Sequence, residues 1–121
     1  MKNRKENIAF NKSVSFSIRI IRLYKYLCEQ KKEYVLSKQL LRRGTAIGAL
    51  ISESEFAQSK ADFINKLHIA VKEANESKYW LLLLCETDFI TKAEYDSLKN
   101  DNEELLRLLV SSIKTAKNNN R

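Results

Sequence analysis

A chain of 121 residues carrying a net charge of +7 has the length of one domain and leaves no room for a second core. Proline is absent and glycine occurs only twice, so an all-β fold would lack the residues its turns and bulges draw on. The longest unbroken apolar run, Tyr79 to Cys85, falls far short of a membrane span, and no membrane partner is expected. The remaining composition, rich in Leu, Ile, Ala, Lys and Glu, loses little rotamer freedom in a helix and predicts an all-α chain.

The first predicted helix runs from about 11 to 31. Phe16, Ile20, Leu23 and Leu27 form one apolar stripe, and Val14, Ile21, Tyr24 and Cys28 form a second beside it. Together they are wider than the stripe a helix needs to face a single core, so a second buried face is expected, most simply in a homo-oligomer. Lys12, Arg19, Arg22 and Tyr26 occupy the remaining edge. No secretory leader is expected, because the apolar start at Ile8-Ala9-Phe10 is broken at once by Asn11 and Lys12.

A polar break at Lys31-Lys32-Glu33 leads to a second helix over about 35–54, with Leu36, Leu40, Ile47 and Leu50 or Ile51 inward. Gly44 and Gly48 lie four apart on one face, each costing a soluble helix about 1 kcal/mol relative to alanine. Close approach of a neighbouring helix is the expected compensation. Ser59 and Asp62 then read as an N-cap and first-turn acid of a third helix over about 60–86. Phe63, Leu67, Ala70, Ala74, Leu81 and Leu84 keep its inner register, and Thr87-Asp88 ends it. Thr91 and Glu94 form a capping box that opens a fourth helix over about 92–117, with Leu98, Leu105, Leu109 and Ile113 inward. Its tail, Asn118 to Arg121, is expected to fray. Short connections favour antiparallel neighbours, and the predicted fold is a single up-down-up-down four-helix bundle over 1–121.

No catalytic residues are predicted. His68 is the only histidine, and Asn65 stands three before it where a carboxylate-bridged di-iron bundle needs glutamate. Cys28 and Cys85 sit in apolar helical runs with no metal-ligand spacing and read as buried thiols of a reduced, cytoplasmic protein. Glu73 and Glu76 share a helical face and, with Glu53, offer the one carboxylate cluster that could hold magnesium. Ion pairing with nearby bases is the simpler role for them. No metal and no cofactor are expected.

The charge is unevenly placed. Residues 1–43 hold 12 Lys/Arg against three acids, or +9, whereas residues 44–121 hold 10 against 12, or −2. Such asymmetry points to a polyanion partner. Arg19 and Arg22 share an edge of the first helix, Arg42 and Arg43 sit together on the second, and Arg107, Lys114, Lys117 and Arg121 recur along the fourth. If the first and fourth helices are neighbours, their stripes merge into a groove that neutralises phosphates without reading bases. These residues predict sequence-tolerant binding of RNA or DNA by a non-enzymatic oligomer. The competing reading is a protein-interaction or scaffolding module with no nucleic-acid role.

Two stretches carry a resemblance to a known family. One runs from Gln39 to Glu53 through Arg42-Arg43-Gly44-Thr45-Ala46-Ile47-Gly48. The other joins Ser59-Lys60-Ala61-Asp62-Phe63, Lys66-Leu67-His68-Ile69-Ala70, Lys72-Glu73-Ala74 and Glu76-Ser77-Lys78-Tyr79-Trp80-Leu81. They resemble the small bacterial four-helix-bundle proteins related to those encoded in ribosomal-RNA intervening sequences. Arg43, Ala46 and Leu50 stand where that family tends to have Ser, Ser and Asn. The chain is also similar to the accessory proteins of diversity-generating retroelements. The resemblance implies a basic homopentamer that binds nucleic acid and a partner protein, and it transfers no catalytic residue.

Overall fold

The computed structural model describes residues 4–119, in four helices: α1 Arg4–Lys31, α2 Leu36–Ser54, α3 Lys60–Glu86 and α4 Lys92–Asn118. Each helix packs on the next, and α4 closes back on α1; among the described residues the backbones of the diagonal pairs stay more than 8 Å apart, Cα to Cα. The direction of α4 against α1 shows in their ties, since Lys12 reaches Glu104 while Arg19, further along α1, reaches back to Ser97 and Asp101. The result is an antiparallel four-helix bundle, as the short connections predict. Asn120 and Arg121 of the expected frayed tail lie outside the described residues.

The inward rows build the core as the spacing predicts. Phe16, Ile20 and Leu27 of α1, Leu40, Ile47 and Ile51 of α2, Leu67, Ala70, Ala74, Leu81 and Leu84 of α3, and Leu98, Leu105, Leu109 and Ile113 of α4 are all buried in one cluster. The start of α1 differs from expectation: the helix is already formed at Arg4, not near residue 11. Arg4 to Phe10 contains no helix breaker, and Ala9 is buried while Phe10 packs against the core, so tertiary contact extends the helix by nearly two turns.

The glycines serve close approach. A Cβ on Gly44 would lie 3.1 Å from Ile20 Cγ1, and one on Gly48 would lie 2.8 Å from the Ser13 hydroxyl. Both therefore let α1 lie tight against α2. Polar residues also enter the core, which a hydrophobic count overlooks. Asn102 is fully buried and donates from Nδ2 to the Ala74 carbonyl at 3.1 Å, tying α4 to α3 at one height.

Local chemistry sets the helix ends. Ser59 accepts from the Asp62 amide, and the Thr91–Glu94 capping box is complete in both directions. At the end of α3, Asp88 takes a left-handed φ of 67° and the Phe89 amide bonds back to the Leu84 carbonyl, the geometry that stops a helix. The start of α2 is less orthodox. Its N-cap residue is Val35, which has no side-chain oxygen to offer, and Glu33 supplies the cap from two residues earlier. The buried Glu33 carboxylate accepts from the amides of Val35, Leu36 and Ser37 at 3.0, 2.9 and 2.7 Å.

Burial opposes ionisation of Glu33, but the Leu36, Ser37 and Val35 amides outweigh it and hold the carboxyl below the ordinary 4.5. The unfolded chain thus takes up this proton more readily than the folded one. The cap's contribution is complete above about pH 4.5 and fades as the pH falls through the lower folded value. Glu33→Ala should cost about 1–2 kcal/mol near neutrality. Glu33→Gln should remove this residue's share of the acid-side decline. Urea unfolding of parent and Gln variant from neutral to acid pH checks this, and parallel profiles would contradict it.

Candidate nucleic-acid interface

The basic residues fall into two groups once their partners are counted. Along the α1–α4 seam, Lys12 Nζ lies 3.1 Å from Glu104 Oε2. Arg19 holds Asp101 through Nη1 and the Ser97 hydroxyl through Nη2, the latter at 2.9 Å. Between α2 and α3, Arg43 lies 3.2 Å from Glu73 through Nη1 and 3.0 Å from Glu76 through Nε. Arg19 and Arg43 are therefore committed to joining helices, and their charges are already answered.

Arg22, Arg42, Arg107, Lys114 and Lys117 are exposed and have no carboxylate partner among the described residues. Arg107 and Lys114 recur two turns apart on α4 and share an open face of that helix with Leu106, Val110, Ser111, Thr115 and Asn118. Lys117 sits in the last turn of the same helix. Arg121, expected to continue this row, lies outside the described residues.

The expected merging of the α1 and α4 stripes into one groove is corrected by the seam. Arg19 lies level with Ser97 and Asp101, and Lys114 is thirteen residues beyond Asp101, or roughly 20 Å along the axis at the helical rise. Between them stand Lys12 and Glu104, already paired. Arg107, Lys114 and Lys117 thus lie toward the C-terminal end of α4, whereas Arg22 and Arg42 lie on α1 and α2 toward the opposite end of the bundle. Sequence spacing could not reveal this, because Asp101 lies 82 positions from Arg19 and Glu73 lies 30 from Arg43.

Glu73 and Glu76 share the Arg43 guanidinium, which is the structural ion-pair role. Among the described residues no three His, Cys, Asp or Glu side chains gather as a metal would require. His68 stands exposed on α3. Among the described residues no helix is long and apolar enough to cross a membrane.

The sequence reading missed the surface around the α1–α2 turn, where Tyr26 and Tyr34 stand exposed among Lys25, Lys31 and Lys32. The sequence signal is three tyrosines and three lysines between Tyr24 and Tyr34, of which Tyr24 and Tyr26 also fit faces of the first helix.

A family model described as 23S rRNA-intervening sequence protein matches residues 5–111. Among solved structures, the chain is similar to a protein of unknown function from the S23 ribosomal protein family of Bacteroides thetaiotaomicron VPI-5482. The two share 56% sequence identity, with 91% of this chain and 98% of that one covered and a TM-score of 0.90. No curated protein matches the chain.

Proposed function

The chain belongs to the 23S rRNA-intervening sequence protein family, and from that premise we propose a non-enzymatic helical module that binds nucleic acid, RNA foremost, through phosphate contacts that ignore sequence. The observation carrying this reading is the set of exposed cations left without carboxylate partners among the described residues, above all Arg107 and Lys114 along the α4 face. A bundle stabilised by surface charge would place those side chains opposite acids, as it does Arg19 and Arg43. Guanidinium and ammonium groups held on a rigid helix suit phosphate oxygens and carry no information about bases. Reversing Arg107 and Lys114 to glutamate tests the assignment.

The proposed active form is a cytoplasmic homo-oligomer, with five subunits on the family resemblance. Its support is the outward face of α1, where Val14, Ile18 and Ile21 are 41%, 43% and 38% exposed, and α3, where Tyr79 and Leu82 are also exposed. An apolar row of this kind is what a subunit contact would cover. Light scattering should report an assembly several times the 14.1 kDa chain mass, and Ile18→Glu should weaken it. A monomer at micromolar concentration would contradict the proposal. The scaffolding alternative draws on the same apolar surface and would prevail if the oligomer forms but no nucleic acid binds.

A further inference from the structure

Resting on the nucleic-acid reading above, we propose that the α1–α2 corner is a second contact site that takes unpaired nucleotides, stacking bases on Tyr34 and Tyr26 while neighbouring cations hold the phosphates. Tyr34 is 55% exposed and Tyr26 is 42% exposed. A tyrosine ring left in water carries an apolar face that burial would stabilise, and these two stand at one end of the bundle, eight positions apart across a tight turn. Lys32 makes that turn with a left-handed φ of 54° and donates Nζ to the Glu29 carbonyl at 3.0 Å, closing the end of α1.

The charge around the rings favours a polyanion. Arg22 lies one helical turn before Tyr26 on the same edge of α1, and Lys31 places its ammonium 6.0 Å from the Tyr26 ring centroid. Lys25 is exposed beside them. Two acids interrupt this stretch. Glu29 is exposed, while Glu33 is turned inward with its carboxylate on the α2 amides, so its charge is spent on the helix end. That inward turn of Glu33 accompanies the outward placement of Tyr34. Cations beside exposed aromatic faces are the arrangement by which proteins hold single strands, since every base has a π-face and a duplex keeps its bases stacked on one another.

The α4 face differs, because among the described residues it presents aliphatic side chains and cations but no aromatic ring. It has no means of telling a single strand from a duplex. The two sites therefore divide the work, α4 supplying affinity for any phosphate backbone and the α1–α2 corner supplying preference for unpaired stretches.

The test compares binding of an unstructured uridine-rich oligoribonucleotide and of an RNA duplex of equal length to the full chain. Tyr34→Leu and Tyr26→Leu should each weaken single-strand binding about five- to a hundred-fold and leave duplex binding within about two-fold. Tyr34→Trp should retain or raise single-strand affinity, because the ring face is kept. Arg107→Glu with Lys114→Glu should weaken both probes. Leucine variants that bind the single strand as tightly as the parent would overturn the proposal and leave the phosphate reading intact. Equal losses on both probes would also overturn it. A parent that binds neither probe at low salt would remove the phosphate reading and this one together.

Discussion

Leu67→Ala is expected to cost about 2–5 kcal/mol of folding stability, a large share of what a small domain possesses. Leu67 is 1% exposed in the inner row of α3, with Ala70 and Ala74 following it in the core cluster. Those small neighbours have no longer side chain to swing into the vacated space, which places the expected loss toward the upper part of the range. Leu82 on the same helix supplies the contrast, being 39% exposed. Leu82→Ala should cost less than about 1 kcal/mol in the isolated bundle. Urea unfolding followed by circular dichroism, at one fixed protein concentration, measures both. If Leu82→Ala costs as much as Leu67→Ala, and its cost falls on dilution, the outward face of α3 is buried against another subunit.

Reversing Arg107 and Lys114 together is expected to lower affinity for RNA and DNA on the order of ten- to a hundred-fold while the helical content stays unchanged. Both side chains are exposed and neither supports a carboxylate among the described residues, so reversal breaks no internal tie. Two phosphate contacts fewer should also flatten the salt dependence by about 1.4 to 1.8 in log–log slope. Arg19→Gln is the instructive companion. Because Arg19 is held by Asp101 and Ser97, its loss should affect the α1–α4 seam more than nucleic-acid affinity. Should Arg19→Gln weaken RNA binding as much as the α4 double reversal, the division between committed and free cations would be wrong.

That division is not carried by local sequence. Helix ends governed by contiguous residues were legible: Ser59 with Asp62, and Thr91 with Glu94, cap the helices they were expected to cap. Inner rows were legible too, because apolar side chains three and four apart have only one face to share. Polar members of the same rows were not. Ser77 and Asn102 continue the buried registers of α3 and α4, yet nothing in their side chains distinguishes them from surface residues until Asn102 meets the Ala74 carbonyl.

The cap at α2 escaped notice for a related reason. Glu33 lies two residues before Val35 and reaches the amides only because the turn at Lys32 folds it back. The charge asymmetry places the excess of cations in the first third of the chain but does not say which of them are paired. Arg43 looked as available as Arg42 until α3 brought Glu73 and Glu76 beside it. Likewise the second apolar stripe of α1, read as Val14, Ile21, Tyr24 and Cys28, is exposed at Val14 and Ile21 and half-buried at Tyr24 and Cys28, and the exposed Ile18 between the first two is not part of that spacing.

The central claim, that free cations on this bundle hold nucleic-acid phosphates, is tested most directly by titrating the parent protein with labelled RNA across a salt series. Phosphate contact predicts binding at low salt that weakens linearly in log–log terms, with a slope of about −0.7 per contact on single strands and about −0.9 on B-form duplex DNA. Absence of binding at low salt, or an affinity that does not change with salt, would contradict it.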